Sequence, residues 1–219
     1  MKIKNLLAAA ALCLFSGTAS AQVNSYGGLY LQYNPTWLVS NYDNVETTYV
    51  NGFTLGYFRS IGIGGDNVPL FLEVGGNLNY GFHTESQTII GVKVRSTDHL
   101  LSLNVPVNFG YSIRLGDNLA LNPYVGIRMR LNLLGVEKTT MGDQSNTINL
   151  YSRDDMDDAR WNRFQIGGQI GAKMIISESF FVEAAYNIDF MPIQNFAVPG
   201  GKDYKARTHG ATLGFGFVF

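Results

Sequence analysis

The residues able to do chemistry are few in this chain, and their spacing decides what each could do. His83-Thr-Glu85-Ser86 brings together a base, an acid and a hydroxyl, the parts of a nucleophilic catalyst. Such a catalyst needs its base and nucleophile within hydrogen-bond reach, and so loose a spacing does not enforce that. His83 is therefore read as a rim residue, and no catalytic residue is expected. Asp154-Asp155-Met-Asp157-Asp158 is acidic enough to attract a cation but lacks the D-x-D-x-D-G spacing of a calcium loop. A solvated acidic loop is expected there, with no metal site. His99 and His209 are isolated and are read as exposed or girdle residues, not ligands. No cofactor-binding residue is expected either.

The remaining charges sit in unusual company. Glu73, Arg128, Arg130, Arg163, Lys173, Glu183 and Asp189 each lie in a segment that alternates apolar and polar residues, and each falls on the polar side. If that side is enclosed they must pair, because a buried charge without a partner is costly. A salt-bridged interior is the first reading; a file of charges lining a narrow, water-filled pore is the second. Glycines on the same side, Gly56, Gly171 and Gly216 among them, either widen such an interior or make room for large side chains.

The elements that would position these residues are strands. Period-two alternation marks eight segments: 26–38, 49–60, 69–84, 98–113, 120–134, 161–175, 180–190 and about 205–219. In the fourth, Leu101, Leu103, Val105, Val107, Phe109 and Tyr111 oppose Ser102, Asn104 and Asn108. In the fifth, Val125, Ile127 and Met129 oppose Tyr124, Arg128 and Arg130. Connectors at 61–68, 114–119 and 176–179 are short turns, whereas 39–48, 85–97, 135–160 and 191–204 are longer and polar. Short turns at one end and long loops at the other, with an even strand number, describe an eight-stranded antiparallel up-and-down transmembrane β-barrel. Each segment reaches the roughly 9–11 residues that a tilted membrane strand needs.

Register can be read as well. A turn at Ser177-Glu178-Ser179 puts Lys173 opposite Glu183 and Gln169 opposite Asn187. Centring the earlier hairpin on Gly116 puts Arg128 opposite Asn104 and Arg130 opposite Ser102. Pro106 has no ladder donor, so a bulge is expected there. A lipocalin-like barrel would turn the apolar face inward. Large apolar faces, aromatics near strand ends and charges confined to the polar face favour the lipid-facing arrangement. Tyr33, Trp37, Tyr80, Phe82, Trp161 and Phe190 would then form the upper aromatic girdle, and Tyr57, Phe109, Tyr111, Phe180 and Phe219 the lower one.

The start of the chain agrees with export. Lys2 and Lys4, the apolar stretch 6–15 and Ala19-Ser20-Ala21 read as a cleaved signal peptide over 1–21, leaving one domain over 22–219. The sole cysteine, Cys13, leaves with it, so no disulfide is expected. Cleavage leaves 14 basic residues against 17 acidic ones, a net charge of −3, which gives no footprint for nucleic acid.

The final strand, with Phe215, Phe217 and Phe219 on one face, resembles the terminal assembly signal of bacterial outer-membrane barrels. Leu103-Asn-Val-Pro-Val-Asn-Phe-Gly-Tyr111, Leu121-Asn-Pro-Tyr-Val-Gly126, Arg163-Phe-Gln-Ile-Gly-Gly-Gln-Ile-Gly171 and Glu183-Ala-Ala-Tyr-Asn187 are similar to strands of the Bacteroidetes-type outer-membrane β-barrel family, relatives of the small OmpA/OmpX-type barrels. The resemblance implies residence in the bacterial outer membrane, contact with its lipid and lipopolysaccharide, and insertion by the barrel-assembly machinery. It implies little about activity. A structural or surface-interaction role, in adhesion or envelope integrity, is expected through the long outer loops, with any extracellular ligand unidentified. A narrow pore or small-ligand passage comes second. A lipid A-modifying enzyme, built on His83 and Ser86, comes third.

Overall fold

Alternation survives folding because each strand has two different solvents to satisfy. The computed structural model describes residues 25–42, 47–63, 69–89, 91–157 and 160–219. The expected signal peptide and Asp158 lie outside them. The elements are β1 (Tyr26–Tyr33), β2 (Thr36–Ser40), β3 (Thr48–Gly62), β4 (Leu70–Ile89), β5 (Val92–Tyr111), β6 (Ile113–Gly116), β7 (Leu119–Met141), β8 (Gln144–Asn149), α1 (Arg153–Met156), β9 (Phe164–Ile176), β10 (Phe180–Asp189), β11 (Gln194–Phe196) and β12 (Tyr204–Val218).

β1 pairs with both β12 and β3, so the order β1-β12-β10-β9-β7-β5-β4-β3 closes on itself as eight antiparallel staves. Shorter strands extend these staves. β2 continues β1 past Asn34-Pro35, β6 continues β5, and β11 continues β10. The outward row is apolar and open: Leu55 is 64% exposed, Ile127 57% and Leu213 62%. The inward row carries Glu73, Asn108, Asn122, Lys173 and Asp189, all buried. This inverts the order of a water-soluble domain and matches a wall against lipid.

Rings sit inside as well. Tyr30, Phe58 and Phe181 pack together at the short-turn end, Phe58 edge-on to Phe181 at 5.5 Å. Gly56 and Gly216 let them in, since a Cβ on either would lie within 2.5 Å of a ring atom of Tyr30 or Phe181.

Several expectations change in detail. Lys173 does face Glu183, and Gln169 faces Asn187. The earlier hairpin, however, is displaced by two residues: Arg130 faces Asn104 and Arg128 faces Pro106. Its turn falls at Asp117-Asn118, between Gly116 and Leu119. A shift of two keeps every side chain on its own face, so alternation could not detect it.

Pro106 makes no bulge. Pairing to β4 skips Gly75-Gly76 and resumes at Asn77 and Asn104 without a register change, as loss of one N–H requires. The bulge lies instead at Leu101/Ser102, where β7 has one residue more than β5 and exposes both Leu133 and Leu134. Much of the expected loops 85–97 and 135–160 is strand. β4, β5 and β7 run to 20, 20 and 23 residues and, with β8, form a sheet that stands beyond the apolar band.

On β5 the outward apolar band covers residues 101–111, enough to cross a membrane. Ile127→Arg should cost about 2–4 kcal/mol, while Ile127→Leu should be nearly neutral. Unfolding titrations in bilayers measure both, and a neutral arginine there would contradict a lipid-facing wall. Cysteine at Ser145 on β8 should react with an impermeant maleimide on intact cells and cysteine at Asn118 should not. The reverse labelling would invert the orientation.

Candidate functional site

The lumen holds its charges in two layers. In the lower layer Lys173 Nζ lies 2.5 Å from Glu73 Oε2 and 4.0 Å from Glu183 Oε1. The same ammonium lies 3.8 Å from the centre of the Phe58 ring and 5.6 Å from those of Tyr124 and Phe181. Asn108 donates to Glu73 Oε1 at 2.9 Å, Gln32 to Glu183 Oε2 at 2.6 Å, and the Tyr124 hydroxyl to Glu183 Oε1. All four carboxylate oxygens therefore have donors. The register neighbour of Lys173 is Glu183, but its closer ion pair is with Glu73 of β4. With the rings of Phe58, Tyr30 and Phe181, this layer makes a packed floor.

In the upper layer Asp189 bridges two guanidinium groups, with Arg128 Nη2 at 3.0 Å from Oδ1 and Arg130 Nη1 at 3.0 Å from Oδ2. Arg130 Nε also donates to Asn104 Oδ1 at 3.2 Å. Amides and hydroxyls fill the space between the layers: Asn77 donates to Tyr30, Asn104 to Asn77, and both Asn34 and Asn187 to Thr212. Above them Leu150, Tyr151 and Ile193 are buried, and Trp161 packs edge-on to Tyr151.

The structure thus brings together Glu73, Lys173 and Glu183, and separately Arg128, Arg130 and Asp189. Arg163 is corrected. It stands exposed just before β9, donates to the carbonyls of Asn132 and Leu133, and lies 4.8 Å over the Tyr151 ring. One position above the first lumen layer of β9, it has no inward carboxylate to meet. Trp161 likewise leaves the expected girdle and lines the lumen mouth. Sequence reading set Tyr124 on the polar face but gave neither it nor Gln32 a part in the charge layer, although small residues such as Gly56 and Gly171 carried a signal for the inward rings.

The tetrapeptide on β4 does not converge. His83 faces Asp98 on the inner side, whereas Ser86 faces Arg95 on the outer side. His99 and His209 are each bound through Nδ1 to a hydroxyl, of Tyr80 and Tyr186, both at 2.6 Å. Asp155 accepts from the Asn149 N–H, and Ser152 caps α1. Among the described residues no group of three or more His, Cys, Asp or Glu is arranged to hold a metal ion.

Outside, the rings form belts. Tyr33, Phe53, Phe82, Tyr80 and His99 make one contiguous arc, and Trp37, Tyr186 and His209 another. At the other rim Phe219 meets Tyr57 and Phe217 meets Phe180, while Phe215 lies outward between Leu31 and Val182. Above the upper belt, alternation places Lys93, Arg95 and Lys138 on the outer face, with Lys205 and Arg207 above His209. The charges are therefore not confined to the inner face. The carboxylates are: Glu73, Glu85, Asp98, Glu137, Glu183 and Asp189, the full acidic set of the described strands, all point inward. Asp98, on the inner face of the projecting sheet, is pushed up to about 6 by burial and then by Glu137 beside it.

No curated protein matches the sequence. Among solved structures the chain is similar to Ail, the attachment invasion locus protein of Yersinia pestis, in complex with the heparin analogue sucrose octasulfate. That match has 12% identity and a TM-score of 0.43, over 90% of this chain and 99% of that one. It is also similar to Neisserial surface protein A (13% identity, TM-score 0.41, 88% and 96% covered) and to the outer membrane enzyme PagL (14%, 0.37, 84% and 97%). The sequence profile of the outer membrane protein beta-barrel domain matches residues 7–219. With the closed ring of eight antiparallel staves and the apolar wall, that match over nearly the whole chain makes it a member of the outer-membrane β-barrel protein family, resident in the bacterial outer membrane.

Proposed function

We propose that the protein is a structural element of the outer membrane, a closed barrel that binds the anionic outer leaflet laterally and contributes to envelope integrity. The observation that carries this is the sorting of charge. Above the upper aromatic belt the outer face presents Lys93, Arg95, Lys138, Lys205 and Arg207, and no described strand turns a carboxylate that way. At a rise of about 3.3 Å per residue, Lys138, Arg95 and Lys93 stand roughly 7, 13 and 20 Å above His99. That is where phosphorylated and acidic glycolipid headgroups are met, and a row of cations with no competing anion suits them.

Lipopolysaccharide in the bilayer should raise the unfolding temperature over that in phosphatidylcholine alone, and salt should erode the gain. The combined Lys93→Gln, Arg95→Gln and Lys138→Gln variant should lose most of it. Equal stability in both bilayers would reject the lateral role, and attachment of cells to host surfaces through the same cations would favour adhesion.

The closed floor is tested by current. Wild type should show little steady conductance in planar bilayers. Lys173→Ala should destabilise by about 3–5 kcal/mol, because it strands two buried carboxylates. Adding Glu73→Ala should recover part of that loss. A large, stable wild-type conductance would promote the pore.

Asp98 gives the projecting sheet a pH dependence. Its carboxyl is raised in the folded state, so the fold binds the extra proton and is favoured at low pH. Stability of the sheet should fall as pH rises from about 4 to about 6. Amide protection factors in β4 and β5, corrected for the intrinsic pH dependence of exchange, should be larger at the acid end of that window, and Asp98→Asn should flatten the difference. An unchanged slope in that variant would place its origin elsewhere.

A further inference from the structure

We infer that the lumen above the Lys173 floor is a binding cup for a small, hydroxyl-rich monoanion with the chemistry of a sugar acid, entered from the outer end. The cup is a cavity of about 90 Å³ with Glu73, Lys173 and Glu183 at its base, Asn34 and Arg128 in its wall, and Tyr151 and Trp161 at its mouth. At roughly 10–15 Å³ per water it accommodates about six to nine waters, or one solute the size of a monosaccharide.

Its electrostatics choose the sign. The floor carboxylates are saturated, since each oxygen of Glu73 and Glu183 already accepts a hydrogen bond or ion pair. The upper layer is not balanced locally: Arg128 and Arg130 share the single carboxylate of Asp189, one positive charge in excess there, while the floor sets Lys173 against two carboxylates, one negative charge in excess. Both guanidinium side chains keep 12% of their surface exposed, so the lumen reaches them. The Nε–H of Arg128 is buried and donates to no protein acceptor among the described residues, and Asn34 Oδ1 is buried and accepts nothing. Leaving such groups unmet costs about 1–3 kcal/mol each, more for a charged one, and both residues line the cavity.

The remaining chemistry narrows the class. One excess charge within the upper layer fits a monoanion held against the two guanidinium groups and disfavours a phosphate dianion, whose second charge would add to the negative excess of the floor. Asparagine amides both donate and accept, as a polyol requires. The rings of Trp161 and Tyr151 suit the C–H face of a sugar ring, while a fully apolar ligand would strand the amides.

Trp161 is a natural reporter. The folded full-length protein carrying Trp37→Phe, so that the cup holds the remaining tryptophan of the described residues, should be titrated with glucuronate, glucose and glucose 6-phosphate while its fluorescence is followed. Saturable binding of glucuronate, at least tenfold tighter than glucose or glucose 6-phosphate, is expected. Arg130→Gln should weaken it at least tenfold. Should that variant fail to fold, Asn34→Ala touches no ion pair and should weaken binding several-fold with heat-modifiable migration intact. Lys202→Gln, in an outer turn, should leave affinity unchanged. No saturable response to any probe at tens of millimolar would overturn the proposal, as would equal affinity for glucose and glucuronate, tighter binding of the phosphate, or insensitivity to both cup substitutions.

Discussion

One buried ammonium group organises this barrel. Lys173 is buried among the rings of the lumen floor, and an unpaired charge there would cost several kcal/mol. Glu73 and Glu183 answer it, and each then needs donors of its own. The chain of obligations runs around the wall: Gln32 from β1, Phe58 from β3, Glu73 from β4, Asn108 from β5, Tyr124 from β7, Lys173 from β9 and Glu183 from β10. β12 takes part by omission, since Gly216 leaves the space that Phe181 fills. Six staves are thus held in register by one charge, since a slip in any of them would strand a polar group, while a slip of β3 or β12 would displace a ring of the floor.

The same economy of charge appears on the two surfaces of the wall. Inside, three cations meet three carboxylates across the lumen. Outside, lipid accepts neither sign at its centre, and cations return only where the strands leave the apolar band. The wall is thus a packed polar core on its inner side and, above the upper belt, a cationic surface on its outer side.

How much of this could be read from residues alone depends on which rule was acting. Alternation located all eight staves and their lipid faces, because within the membrane the two sides of a strand have opposite demands. It failed where that contrast ends. Residues 85–89 and 92–97 lack an apolar outer row and looked like loop, yet they pair as strand. The Lys173–Glu183 register was legible because its turn is short and its faces unambiguous. The Arg130–Asn104 register was not, since a two-residue displacement leaves every polar residue on the polar side. Across-lumen partners are invisible to any such reasoning, which compares neighbours along and between adjacent strands. This is why Glu73 as the nearer partner of Lys173, and the departure of Arg163 from the lumen, emerge only from three dimensions.

The seam between β1 and β12 carries a consequence for how the molecule is made. Asn34 and Thr212 meet across it at a separation of 178 residues. Closing a loop of that length costs about 4–5 kcal/mol of chain entropy, against far less for the neighbouring hairpins. The hairpins therefore form first and the seam last, so the nascent sheet passes through a stage with two bare edges. Hydrocarbon does not tolerate such edges, because their amides and carbonyls would have no partner. The last strand must then be present before the ring can close, and until that moment the unfinished sheet has to be sheltered from both lipid and its own copies.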